Sequence, residues 1–179
     1  MRPHARARRA GFTLLELMIS ATVFLLVAGA VTTSVVVSSA LNTTARETAQ
    51  ATRAAESLLE ELKGTEFAEV FARFDASTAN DPALGSSPGA GFAVSGLGVQ
   101  DGDADGLVGR VEFPVIGAEL REDVADAELG LPRDLNGDGV VDALDHAADY
   151  RILPVRVVVA WSGKNGARTV ELVTVLTDL

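Results

Sequence analysis

The sequence predicts an α+β fold: a long N-terminal helix whose C-terminal half packs on a small antiparallel β-sheet. Three observations predict it. Residues 17–41 form an apolar run that contains no charged side chain. Beyond that run, apolar positions recur at helical spacing as far as Leu62. Near the C-terminus, two segments dense in β-branched residues flank an Asn-Gly pair, the signature of a hairpin.

The first element is a basic head. Arg2, Arg6, Arg8 and Arg9 fall within the first eleven residues and no acid lies among them. The whole chain of 179 residues carries a formal charge of -10, so the remainder is more acidic still. Such a balance argues against nucleic acid as a partner, because phosphate binding needs a basic footprint. A basic head, an apolar segment and an acidic body also define a topology, with the arginines kept in the cytoplasm and the body carried across the membrane. Cysteine is absent, which excludes disulfides and thiolate chemistry.

The apolar run is long enough to cross a bilayer, which takes about 20 helical residues. Ala28-Gly29-Ala30 imitates a signal-peptide cleavage site, but the apolar run continues through it, so an anchor is the better reading. After Leu41 the helix continues in a different character. Ala45, Ala49, Ala51, Ala54, Ala55, Leu58, Leu59 and Leu62 hold the 3.6-residue period, Glu56, Glu60, Glu61 and Lys63 occupy the other faces, and Gly64 is a stop signal. One helix from near Phe12 to near Lys63 is about 80 Å long at 1.5 Å per residue. Its first half suits lipid and its second half suits a globular head.

A single carboxylate, Glu16, stands at the front of this helix in the stretch Gly11-Phe12-Thr13-Leu14-Leu15-Glu16. An acid so placed is expensive and marks a function. The stretch, with its basic leader and following apolar helix, resembles the N-terminus of type IV prepilins and type II secretion pseudopilins. The resemblance implies cleavage after Gly11 by a prepilin peptidase, methylation of the new N-terminal Phe12, and an assembly role for Glu16 as the fifth mature residue. It implies other pilin or pseudopilin subunits as partners through their N-terminal helices, and a single-pass location in the bacterial inner membrane, head outside, before entry into a pilus or periplasmic pseudopilus. Independent of the family, an acid and a free amine in low dielectric offset each other's desolvation, so Glu16 facing a neighbour's terminus would set axial register. The sequence departs from major pilins at the twenty-second mature position, where Thr33 replaces their proline, which fits a minor pilin or pseudopilin. Thr32, Thr33 and Ser34 are sites of local helix weakening.

The resulting division is a leader at 1–11, a membrane half of the helix at 12–41, a head-packing half at 42–64 and a globular head at 65–179. Within the head, Glu66–Phe74 extends as a short helix and Asp75–Gly91 reads as an exposed loop. Strands are expected at Phe92–Val99, diluted by glycine, at Val111–Ile116, at Val155–Trp161 and at Thr169–Leu176, with Asn165-Gly166 turning between the last two. That terminal hairpin resembles minor pilins of the PilV kind and type II I-pseudopilins.

Two acidic stretches read as calcium loops. In the first, Asp134, Asn136, Asp138, Asp142 and Asp145 place oxygens at loop positions one, three, five, nine and twelve. Gly139 gives the sharp turn at six, and the Val140 carbonyl supplies position seven. Aspartate at the twelfth position resembles dockerin-type loops. In the second, Asp101, Asp103, Asp105 and Glu112 occupy one, three, five and twelve, with the Leu107 carbonyl at seven and no side chain at Gly109. Calcium outside the cytoplasm would pin these loops and neutralise their carboxylates. No enzyme is expected: His4 lies in the leader, His146 reads as a surface histidine, and no nucleophile–base arrangement or phosphate loop stands out. The leading reading is a structural filament subunit. The alternative is a membrane-anchored, calcium-stabilised extracytoplasmic binding module that never polymerises.

Overall fold

The computed structural model describes residues 13–82, 87–164 and 166–178. The expected cleavage pair, Gly11 and Phe12, lies outside the described residues. Helix α1 spans Leu14–Gly64, 51 residues without interruption. Thr13 caps it: its side-chain oxygen accepts the Glu16 N–H at 3.3 Å and its carbonyl accepts the Leu17 N–H at 3.1 Å. Thr13-x-x-Glu16 thus has the spacing of a capping box. The expected weak point at Thr32–Ser34 stays helical, with the Thr32 and Thr33 hydroxyls donating to the carbonyls of Ala28 and Gly29 at 2.9 and 3.0 Å.

Contacts divide the chain into two units, one ending at Asn42 and the other running from Thr43. In the first unit, the described residues form a helix whose apolar side chains are exposed on every face: Phe24, Leu25 and Leu26 each keep at least 70% of their surface. By length and composition this segment can cross a membrane.

The second unit holds the core. After α1 come α2 (Phe67–Phe74), β1 (Gly91–Phe92), β2 (Gly109–Glu112), β3 (Val115–Ile116), β4 (Glu119–Leu120), β5 (Ile152–Gly163) and β6 (Gly166–Thr177). The main sheet is antiparallel with order β1-β2-β5-β6, and β3 and β4 form a separate ribbon. Alternation sorts β5: Leu153, Val155, Val157, Val159 and Trp161 are all buried on one face. Ala51, Ala55 and Leu62 of α1 join them in the core. Two alanines one turn apart keep the helix surface low where it meets the sheet. The Trp161 indole N–H donates to Glu47 of α1 at 3.3 Å, which satisfies the ring's polar edge. Helix α2 adds Val70, Phe71 and Phe74, and the Tyr150 hydroxyl ties it down by donating to the Phe67 carbonyl at 2.6 Å.

The sheet departs from expectation in three places, each for a physical reason. Strand β1 is only two residues long; after Phe92 the chain leaves the ladder and turns at Val94–Leu97, where Gly96 has a φ of 84°, and among the described residues it meets the sheet again through a bridge between Gly98 and Ser162. The stretch Val111–Ile116 is two strands, not one. Pro114, which has no N–H, separates β2 from β3. The terminal hairpin pairs Gly163 with Gly166, so the two-residue connection is 164–165 rather than Asn165-Gly166. Asn165 itself lies outside the described residues. Gly109 is required where it stands: it pairs with Phe92, whose ring lies over it so closely that an added Cβ would meet ring carbons at 2.3–2.6 Å. The aromatic ring covers the sheet where glycine leaves a gap.

One polar group crosses the strands. Arg156 of β5 donates through Nη2 to both Asp126 oxygens at 2.8 Å and through Nη1 to Glu112 at 3.2 Å. Burial pushes the Asp126 carboxyl up, but the Leu129 N–H and Arg156 outweigh it and hold the group below its ordinary value. A carboxylate depressed on folding stabilises the protein above the ordinary aspartate range, and that stability is lost as pH falls through the folded value. Asp126→Asn is therefore expected to cost about 1–2 kcal/mol at neutral pH and to flatten the acid limb of the stability curve, measured by urea denaturation between pH 3 and 7.

Candidate functional site

Two places carry chemistry. The first is the helix start. Glu16 lies in the first turn of α1, exposed, among exposed Leu14, Leu15 and Leu17. An acid there interacts favourably with the helix N-terminus, and its side chain stands on a surface otherwise offered to lipid or to other helices.

The second is the acidic loop between β4 and β5. Its oxygens are organised by the loop's own backbone. Asp134 accepts from the Gly137 and Gly139 N–H groups at 2.6 and 2.8 Å, Asn136 Oδ1 from Asp138 N at 3.0 Å, and Asp138 from Val140 N at 2.7 Å. Gly137 and Gly139 have φ of 81° and 88°, which lets the chain curl around these side chains. The Gly139 N–H is the main cause of an Asp134 carboxyl held below its ordinary value. Asp142 is lowered chiefly by the Leu144 N–H, with help from His146. Asp145, the expected twelfth-position ligand, turns one oxygen to other work: Oδ1 accepts from Leu120 N at 3.0 Å and Ala147 N at 3.1 Å, fastening the loop to β4.

The centre of this region is a residue the sequence did not single out. Glu122 is fully buried. Its Oε1 accepts from Leu135 N at 2.6 Å and Asn136 N at 3.3 Å, and its Oε2 accepts from Asp142 N at 3.2 Å. One carboxylate thus holds both ends of the acidic loop. Beside it sits His146, and here the expectation of a surface histidine is corrected: the residue is only 3% exposed. Its Nε2 lies 3.2 Å from Asp142 Oδ1 and 3.7 Å from Glu122 Oε2, and its Nδ1 lies 3.1 Å from Asp149 Oδ1. Burial alone would push the imidazole pKa down; the surrounding carboxylates Asp142, Asp149 and Glu122 reverse this and raise it. The ligand-type atoms of Glu122, Asp142 and His146 all lie within 4.8 Å of one another, a grouping that can coordinate a metal ion. Glu122 carries no loop-type spacing that would have revealed it. The only signal for His146 was its place directly after Asp145.

The second acidic stretch is arranged differently. Asp103 accepts from Asp105 N at 3.1 Å and Asp105 from Leu107 N at 2.8 Å, which gives the bend. Glu112, however, lies on β2 and turns its two oxygens to Arg110 and Arg156. The expected twelfth-position carboxylate is engaged by cations of the protein itself, and Asp101 stays exposed.

Residues 6–32 match the prokaryotic N-terminal methylation motif, a signature typical of type IV pilin-like and pseudopilin-like proteins. No curated protein and no solved structure matches the chain. The motif and the long apolar helix, packed through its C-terminal half on a small antiparallel sheet, support a pilin- or pseudopilin-type structural subunit.

Glu122→Gln is expected to destabilise the protein by about 1–3 kcal/mol, because an amide N–H₂ would then face a backbone N–H in a buried site. Urea denaturation in the presence of chelator measures the loss without a contribution from metal.

Proposed function

We propose that the chain is a minor pilin or pseudopilin of a type IV pilus or type II secretion filament. It is made as a precursor in the inner membrane, with the arginine-rich leader in the cytoplasm and the head in the periplasm. Prepilin peptidase cuts after Gly11, and the new terminus at Phe12 is methylated. The observation that carries this reading is the methylation motif at residues 6–32 running into a helix whose surface, as far as Leu41, is apolar and exposed. Such a surface needs lipid before assembly and neighbouring helices after it. Glu16 is the only charged side chain on the described helix before Arg46. Facing the Phe12 amine of a neighbouring subunit, it would neutralise both groups and fix the axial step between copies.

The head is stabilised by calcium bound in the loop from Asp134 to Asp145, through Asp134, Asn136, Asp138, the Val140 carbonyl and Asp142, with Asp145 contributing the oxygen left free by Leu120 and Ala147. The loop spacing, with the oxygens of the first three residues held by the loop's own N–H groups, supports this reading. The stretch Asp101–Glu112 is not included, since Glu112 is already paired with arginines.

Glu16→Ala is expected to leave precursor levels and membrane anchoring unchanged while incorporation into filaments falls on the order of tenfold or more. Immunoblotting of sheared filament and membrane fractions reads both; unchanged incorporation sinks the assembly role and favours an anchored module that does not polymerise. Mass spectrometry of the mature chain is expected to find a methylated Phe12 as its first residue. Calcium at a hundredfold excess over Kd is expected to stabilise the head by roughly 2.7 kcal/mol, a gain blunted by Asp138→Ala and followed by thermal melting with and without chelator.

A further inference from the structure

We propose that Glu122, Asp142 and His146 form a second metal site, adjoining the calcium loop and sharing Asp142 with it, that takes a transition-series dication of the zinc class. The imidazole decides the metal class: calcium takes oxygen ligands, whereas a nitrogen donor with carboxylates suits zinc and its neighbours. The geometry agrees. Ligand atoms about 2.0–2.1 Å from a tetrahedral zinc stand about 3.3–3.4 Å apart. His146 Nε2 stands 3.2 Å from Asp142 Oδ1 and 3.7 Å from Glu122 Oε2. The longer of these exceeds a hydrogen bond, so the buried carboxylate faces the ring nitrogen without closing on it.

The second shell is in place as well. Asp149 lies 3.1 Å from Nδ1, and a proton held there by the carboxylate leaves the Nε2 lone pair directed at Glu122 and Asp142. A carboxylate behind a ligating histidine is the usual way such a ring is oriented. Glu122 is held in turn by three backbone N–H groups, so its position does not depend on the ion. The Asp142 side chain is 32% exposed, which provides access and room for water as a fourth ligand. Three carboxylates surround one buried ring, and a dication balances that charge more fully than a single proton on the imidazole does.

Asp142 is common to this site and to the proposed calcium loop, whereas Asp134, Asn136 and Asp138 belong only to the loop and Glu122 and His146 only to this cluster. The test uses the full chain in detergent, free of affinity tags and stripped of metal, titrated with zinc chloride in the presence of saturating calcium. The expected result is one bound zinc per chain by calorimetry and a higher melting temperature. His146→Gln is expected to abolish both while keeping the response to calcium. Asp138→Ala is expected to do the reverse, so failure of the calcium reading leaves this one standing. Asp149→Asn is expected to weaken zinc affinity about 10–100-fold. Should His146→Gln fail to fold, the wild-type chain still answers: it has two histidines, His4 and His146, and zinc is expected to shift the imidazole nitrogen resonances of His146. The proposal is overturned if zinc leaves the melting temperature and those resonances unchanged, or if His146→Gln binds zinc as the wild type does. Either outcome leaves His146 as a structural partner of the surrounding carboxylates only.

Discussion

Everything in this protein is subordinate to an apolar surface that the described chain leaves uncovered. From Leu14 to Leu41 the helix exposes leucine, isoleucine, valine and phenylalanine around its full circumference. Burying such a surface is worth about 25 cal/mol per Å², so a bare helix of this kind in water would be driven at once into oil or into another helix. The globular unit obeys a different logic. There the same helix turns Ala51, Ala55 and Leu62 to a β-sheet and leaves Glu56, Glu60 and Lys63 in solvent. One uninterrupted element thus serves two solvents, and the change of character between residues 41 and 47 marks the boundary between them.

In the head, the sheet alone does not account for the order of the long segment between β4 and β5. That segment has no regular secondary structure, so its backbone groups need other partners. Side chains supply them. Glu122 takes three N–H groups, Asp134 two and Asp145 two, and the Leu120 carbonyl accepts the His146 N–H at 2.9 Å. The carboxylates are therefore structural before they are anything else. The four aspartates between Asp134 and Asp145 each accept from at least one backbone N–H, so bound cations would add to an order already present.

How much of this was legible in the sequence depended on whether the signal was periodic or local. The helix was plain because its apolar spacing persists for tens of residues, and β5 and β6 because branched residues alternate over a length no turn interrupts. The split at Pro114 was legible in principle, since proline cannot donate to a ladder, but the apolar residues on either side masked it. The early end of β1 was not legible, since the turn that follows it uses a positive φ at Gly96 that the residue type permits without requiring. Asp134, Asn136 and Asp138 were found because a metal-type loop has fixed spacing. Glu122 was not, because its partners Leu135, Asn136 and Asp142 lie 13 to 20 residues away and nothing in a one-dimensional pattern announces a contact set by chain reversal. His146 was misplaced for the same reason: a histidine among acids looks solvated until the fold closes over it.

The threonines of the apolar helix have a consequence for movement between phases. Thr22, Thr32 and Thr33 each spend their hydroxyl proton on a carbonyl four residues back in the same helix. A hydroxyl so engaged asks nothing of its surroundings. It has no partner to lose when the helix leaves hydrocarbon and none to find when it enters a protein bundle, so its polar accounts are the same on both sides. Glu16 is the one charged side chain in the described stretch before Arg46, so the difference between the two environments is sharpest there. A change of surroundings is then nearly without polar cost at the three threonines and weighs most on the charged first turn of the helix.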